Sequence, residues 1–263
     1  MSTILDEIVL NRTEEVSLLK KLLPLSELKG RIDFSYTCNS LSKALTKEGA
    51  SGIIAEFKRR SPSKGIINDT LLPEIVTRGY ADAGASGLSV LTDERYFGGN
   101  RIDLAVAREA NPNIPILRKD FIVDEYQIYE TRILKADVIL LISAVLSKSR
   151  ITDFTTLAHE LGMEVLLELH EESEIDKIDN RVDMIGINNR NLKDFSVNME
   201  HSLQLLHKLP KEMVKISESG LTNPETVNQL RERGFKGFLM GENFMKTNNP
   251  AEACRDFILK LTH

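Results

Sequence analysis

The chain has 263 residues, 41% hydrophobic and 28% charged, with 34 Lys and Arg against 39 Asp and Glu for a net charge of −5. That length can bury a sizeable core without disulfides or metals, and the mild acidity argues against a nucleic-acid partner, which usually leaves a basic footprint. The two cysteines, Cys38 and Cys254, form no short-spaced zinc motif and read as reduced thiols of a cytoplasmic protein. The N-terminus is no secretory signal, and no apolar run is long enough to span a membrane.

Residues 1–50 open the chain with helical spacing of Ile4, Ile8, Val9, Val16, Leu19 and Leu23, and Leu41 to Leu45 starts a second amphipathic stretch. Fifty residues rarely hold a core of their own. They are expected to form a helical extension packed on the rest, with 1–263 a single domain. After residue 50 short apolar runs alternate with longer amphipathic stretches. Strands are expected at 52–57, 87–91, 114–117, 138–142, 164–169, 184–187, 214–217 and 237–240. Helices are expected at 72–83, 102–110, 125–134, 151–161, 201–208 and 224–233. Gly84, Gly162 and Gly234 stand where helices end before a strand. Asn223-Pro224 reads as a cap with Pro in the first helical turn. Eight βα units with Val/Ile/Leu-rich strands predict an α/β fold, a closed (β/α)8 TIM barrel carrying the N-terminal extension.

Such barrels carry their chemistry at the C-terminal ends of the strands. Here those ends hold Glu56-Phe57-Lys58, Arg118-Lys119-Asp120, Glu168, Asn188-Asn189-Arg190, Glu218-Ser219-Gly220 and Gly241-Glu242. Side chains alternate faces along a strand. Glu56 and Lys58 therefore share a face with Ile54, Lys119 with Leu117, Glu168 with Leu166, and Asn188 with Gly186. With those faces inward, two lysines and two glutamates converge on the mouth. Strand-end salt bridges without function are the competing reading, and six ends out of eight weigh against it. The loops after strands seven and eight usually hold phosphate in this fold. They read Ser219-Gly220-Leu221-Thr222 and Gly241-Glu242-Asn243. Glu242 would repel an anion, so only its backbone N–H could help, with the side chain turned away. His170 lacks a paired Ser or Cys nucleophile and reads as a polar loop residue. No Walker, Rossmann or HExxH motif is present, and acidic residues are not clustered at metal spacing.

The run Ile54-Ala55-Glu56-Phe57-Lys58-Arg59-Arg60-Ser61-Pro62-Ser63-Lys64-Gly65 resembles the signature of indole-3-glycerol-phosphate synthases. In the same order follow Leu91-Thr92-Asp93 with Tyr96-Phe97-Gly98-Gly99, Leu117 to Ile122, Gly186 to Leu192, and Ser217-Glu218-Ser219-Gly220. The resemblance spans the chain. It implies ring closure of 1-(2-carboxyphenylamino)-1-deoxyribulose 5-phosphate, with loss of CO2 and water, to indole-3-glycerol phosphate in tryptophan biosynthesis. It implies a phosphorylated small-molecule substrate, no cofactor and no metal, and with the sequence ending at His263 no second, isomerase barrel is expected.

By that resemblance Lys119 is the general acid, Glu168 the base for dehydration, and Glu56 with Lys58 the pair that positions substrate and shares proton work. Asn188 and Ser219 join the catalytic group. Ser61, Glu218, Gly220, Gly241 and Glu242 contact substrate, chiefly its phosphate, and Arg190 takes the leaving carboxylate. Phe97, Phe121 and Leu192 wall the aromatic ring, or else simply pack the core. Arg60 stands where some members carry Lys, which changes its geometry. Two alternatives remain: another phosphate-binding barrel such as a sugar-phosphate isomerase, or a non-catalytic metabolite-binding barrel.

Overall fold

A computed structural model describes residues 3–191 and 196–261. Eight parallel strands close into one barrel: β1 (Ile53–Phe57), β2 (Gly87–Leu91), β3 (Ile116–Lys119), β4 (Val138–Ile142), β5 (Glu164–Leu169), β6 (Met184–Asn188), β7 (Val214–Glu218) and β8 (Gly237–Met240). Each strand pairs with its neighbour in sequence, and β1 pairs with β8. The expected count and order hold. β3 starts two residues late because Pro115 has no N–H for the ladder, while β6 and β7 each run one residue further toward the mouth. A small antiparallel hairpin, Arg60–Ser61 with Gly65–Ile66, follows β1 and was not expected.

Helices cover the barrel at Pro73–Asp82, Arg101–Ala110, Glu125–Ile133, Lys148–Glu160, Met199–Leu206, Pro224–Glu232 and Pro250–Ile258. Their starts are capped as the residue types dictate. Asn100 and Asp103 form a reciprocal capping box, and Asn223 accepts from the Thr226 N–H. After β5 the chain instead makes a short 3-10 helix, Glu172–Lys177.

Alternation places two cores in the molecule. Residues facing out from the strands pack under the helices, around Phe57, Leu88, Ile139, Leu167, Ile187 and Phe238. Inward residues Ile54, Leu117, Val138, Leu140, Leu166, Met184, Ile216 and Leu239 fill the barrel itself.

The N-terminal extension touches both ends of that barrel. Helix α1 (Ile4–Leu22) lies beside the mouth, where Ile4, Leu5 and Ile8 line the central cavity. A short helix α2 (Leu25–Lys29) follows. Helix α3 (Leu41–Thr46) stoppers the bottom, with Leu41 and Leu45 buried in the interior cluster. A methyl on Gly87 would come within 2.4 Å of Leu41 Cδ1, and one on Gly237 within 3.1 Å of Leu45 Cδ1. Glycine at those two strand starts makes room for the stopper. The Glu164 carboxylate holds α3, accepting from the N–H groups of Leu41 and Ser42 at 2.8 and 3.0 Å.

A buried charge network fastens α1. Arg12 Nη2 lies 2.9 Å from both Asp93 and Asp120, just past β2 and β3. Asp120 also pairs with Arg118 at 2.9 Å, and Arg118 with Glu130 at 2.7 Å. Arg118 is 1% exposed on the outward face of β3, so it braces the strand rather than facing the mouth.

Candidate active site

One cavity of about 480 Å³ opens at the C-terminal ends of the strands. That size suits a single small molecule. Glu56, Lys58, Ser61, Phe97, Lys119, Phe121, Glu168, Asn188, Arg190, Glu218, Ser219, Gly220, Gly241 and Glu242 all line it. Leu192 lies outside the described residues. Strand parity is the reason for the convergence: Glu56, Lys119, Glu168, Asn188 and Glu218 each stand two residues beyond an interior residue of their strand.

The ionisable groups divide into two knots. Lys58 Nζ donates to Glu56 Oε1 at 2.7 Å, and Glu56 Oε2 accepts from Ser89 Oγ at 3.4 Å. Gly241 faces this pair, and a methyl there would meet Glu56 Oε1 at 2.7 Å. Across the mouth, Lys119 Nζ donates to Glu168 Oε2 at 3.1 Å and lies 3.7 Å from Glu218 Oε2. Glu168 Oε1 accepts from Asn188 Nδ2 at 3.2 Å and lies 3.1 Å from His170 Nε2. Glu218 is the second carboxylate of this knot. Both of its oxygens are buried with no hydrogen-bond partner among the described residues. Its room comes from Gly186, where a methyl would sit 2.1 Å from Glu218 Oε1.

Burial and charge drive these groups to opposite states. Burial works against the Lys119 ammonium, but Glu168, Glu218 and Glu56 outweigh it and raise its pKa above the ordinary lysine value. Burial also works against the Glu168 carboxylate, yet Lys119 and His170 hold that carboxyl well below its usual range. Glu218 goes the other way. Burial, reinforced by the Glu168 charge, pushes it well above the usual range, and Lys119 offsets only part of this. Beside the cation, the ionised form is favoured at one carboxyl and the protonated form at its neighbour. Environments that split two acids in this way are how a site assigns acid and base work.

The apolar side is formed by Phe97 and Phe121, whose ring centroids are 5.9 Å apart. Phe97 ends a short helix, Glu94–Phe97, which Asp93 caps through the N–H groups of Tyr96 and Phe97. In the loop after β7 Ser219 has φ 69° and Gly220 φ 74°. Left-handed backbone at a serine is costly and tends to mark functional positions. A methyl on Gly220 would meet Val197 Cγ1 at 2.2 Å.

Glu242 does not turn away from charge. Its carboxylate lies 3.8 Å from Lys64 and 3.7 Å from Arg190, between two cations of the rim. Arg60 is turned out of the cavity, and its Nη2 donates to the Glu94 carbonyl at 2.6 Å. His170, set aside in the sequence as a polar loop residue although it stands two residues beyond Glu168, does lie in the loop just past β5, but it is buried there, behind the cavity, against Glu168. Among the described residues no group of three or more His, Cys, Asp or Glu could hold a metal ion, and no helix is long and apolar enough to cross a membrane.

A parallel eightfold barrel with a split acid–base centre at its mouth defines an enzyme of the (β/α)8 class. The model of the family "Indole-3-glycerol phosphate synthase" matches residues 5–257. A Bacteroides thetaiotaomicron indole-3-glycerol phosphate synthase is 48% identical over 258 residues, covering 98% of each chain. One from Laribacter hongkongensis is 44% identical, covering 96% of this chain and 98% of that one. The alpha subunit of Legionella pneumophila tryptophan synthase superimposes with a TM-score of 0.61 at 12% identity, covering 83% of this chain and 95% of that one, which speaks to the fold alone. The chain belongs to the indole-3-glycerol phosphate synthase family, carboxy-lyases of tryptophan biosynthesis.

Proposed function

We propose that the mouth closes the indole ring through the residues just described. The substrate's phosphate is seated by backbone amides of Ser219, Gly220, Gly241 and Glu242, with Ser61 beside them. Phe97 and Phe121 flank the aromatic ring. Arg190 faces the carboxylate that leaves as CO2. Holding both ends of a flexible chain brings ring carbon and ketone together, an orientation effect.

Lys119 then gives a proton to the ketone oxygen as the ring carbon attacks. Loss of CO2 returns its bonding electrons to the ring. In the dehydration Glu168 takes a proton from the ring's CH2 carbon, the C–H electrons form the new ring double bond, and the hydroxyl leaves as water on a proton supplied by Lys58. Asn188 orients Glu168, Glu56 and Lys58 position the substrate and share proton work, and protonated Glu218 donates a hydrogen bond to the substrate's hydroxyls. The observation that most supports this reading is the 3.1 Å contact of Lys119 with Glu168 beside Glu218, a charged acid and an ionised base at one point in the cavity. A sugar-phosphate isomerase would have no use for the ring-sized apolar wall.

The extension and the barrel act as one unit in this reading, because α1 supplies cavity wall. The free thiols Cys38 and Cys254 suit a reducing cytoplasm. The test is incubation of the protein with the anilino-deoxyribulose phosphate in EDTA, followed by indole fluorescence. Product is expected. No product, or product only after metal is added back, would overturn the cofactor-free mechanism.

A further inference from the structure

His170 lies behind the cavity, not in it. It follows the last residue of β5, is 9% exposed, and places Nε2 3.1 Å from Glu168 Oε1. Its own backbone is braced. The His170 N–H donates to Glu174 Oε2 at 2.8 Å, and that buried carboxylate is also bonded by Ser143 Oγ. Lys177 Nζ, from the same 3-10 helix, donates to the carbonyls of Ser143 and Leu146 at 2.6 and 3.1 Å. The Glu168 carbonyl accepts from both the N–H and the hydroxyl of Ser143, at 3.0 and 2.9 Å. The 3-10 turn therefore clamps the end of β5 to the loop after β4, and the imidazole is the part of that clamp that reaches the reacting carboxylate. Burying an imidazole costs free energy unless it is partnered. An apolar side chain would fill the same volume without that cost.

We propose that His170 is a positioning residue for the ring-closing reaction, fixing the rotamer and the charge of the Glu168 carboxylate from behind. The inference rests on the reading of Glu168 as the base. Glu168 Oε1 is shared by Asn188 from β6 and His170, while Oε2 faces Lys119 from β3, so the carboxylate is held on both oxygens. The charged groups facing His170 are Glu168 on its own strand, Glu174 on the 3-10 helix and Lys119 on β3, and the two carboxylates favour the imidazolium. Glu218 faces Glu168 from β7 and opposes its ionisation. Removing the cation behind Glu168 leaves Lys119 alone against that opposition.

The test is a comparison of kcat–pH profiles for the wild type, His170→Gln and His170→Ala. Gln places an N–H donor near the position of Nε2 but carries no charge. His170→Ala should lose about 100-fold in kcat, the scale of a misplaced catalytic group. His170→Gln should stay within about 3-fold of wild type near pH 8. In both, the acidic limb should move upward by about one pH unit, since loss of a neighbouring positive charge weakens the ionised carboxylate. KM should move less than about 3-fold in either. An acidic limb superimposed on that of wild type, or a Gln variant as slow as Ala, would overturn the proposal. Should His170→Ala fail to fold, the limb of His170→Gln decides alone. Glu168→Gln separates the two levels. Normal turnover there removes Glu168 as base, whereas an inactive Glu168→Gln with unshifted His170 variants removes only the role of His170.

Discussion

Gly186→Ala adds one methyl where the site has no room for it. The new Cβ would stand 2.1 Å from Glu218 Oε1, 3.2 Å from its Cδ and 3.3 Å from Leu166 Cδ1. Ordinary contact begins near 3.4 Å, so the carboxyl must retreat by more than about 1 Å, while Leu166 can yield by a rotamer adjustment. A shift of that size in a reacting constellation costs about 100-fold in rate, or ~2.7 kcal/mol of activation free energy. The overpacking itself should cost about 1–3 kcal/mol of stability. Steady-state kinetics by indole fluorescence, with thermal melts in parallel, read both. The expected result is a folded protein with kcat down about 100-fold and KM within a few-fold. A double-mutant cycle adds a sharper control. Glu218→Asp shortens the side chain by one methylene, so Gly186→Ala should do little further harm on that background. A folded Gly186→Ala enzyme with near-normal kcat, or additive losses in the cycle, would refute the claim that this glycine exists to seat Glu218.

Lys119→Ala should lower kcat by about 10²–10⁴, the usual worth of a general acid, and near-normal turnover would remove its role. Arg12→Ala leaves Asp93 and Asp120 buried without their shared cation, so denaturant unfolding should report a loss of about 3–5 kcal/mol. Glu218→Gln should trade activity for stability in a pH-dependent way. A carboxyl whose folded pKa is raised destabilises the fold as pH climbs above its unfolded value, because the unfolded chain gives up the proton first. Gln mimics the protonated form, so the variant should match wild type near pH 4 and exceed it by a growing margin toward neutrality. Urea midpoints across that range would show it, and a constant difference at every pH would contradict the assignment.

Strand parity makes most of the mouth legible in the sequence alone. Ile54-Glu56, Leu117-Lys119 and Leu166-Glu168 each put a charge above a core residue, and the barrel needed only to close for them to meet. The same rule covers Ile216-Glu218 and Glu168-His170. Parity does not say what a group will touch. Glu218 fits beside Lys119 because Gly186, on the adjacent strand β6, has no side chain, and His170 is buried because a 3-10 turn, not a helix, follows β5. Arg12 was hidden for another reason. A charged residue on an amphipathic helix reads as solvated, and its burial depends on two aspartates that lie 81 and 108 positions away in the chain. The α3 stopper was legible as a helix but not as a plug, since its fit depends on gaps at Gly87 and Gly237.

That stopper has a consequence for the order in which the molecule forms. Leu41 and Leu45 leave a ribosome long before Glu164, Ile216 and Gly237, the groups that receive them. Contacts across more than 120 residues are slow to make, because the intervening chain must be ordered first. The first segment synthesised is thus among the last to find its seat, and until then the bottom of the barrel and two leucines stay open to water. A growing chain carries its own cork ahead of the vessel, so exposure to aggregation should be greatest late in synthesis, between completion of β5 and arrival of β8.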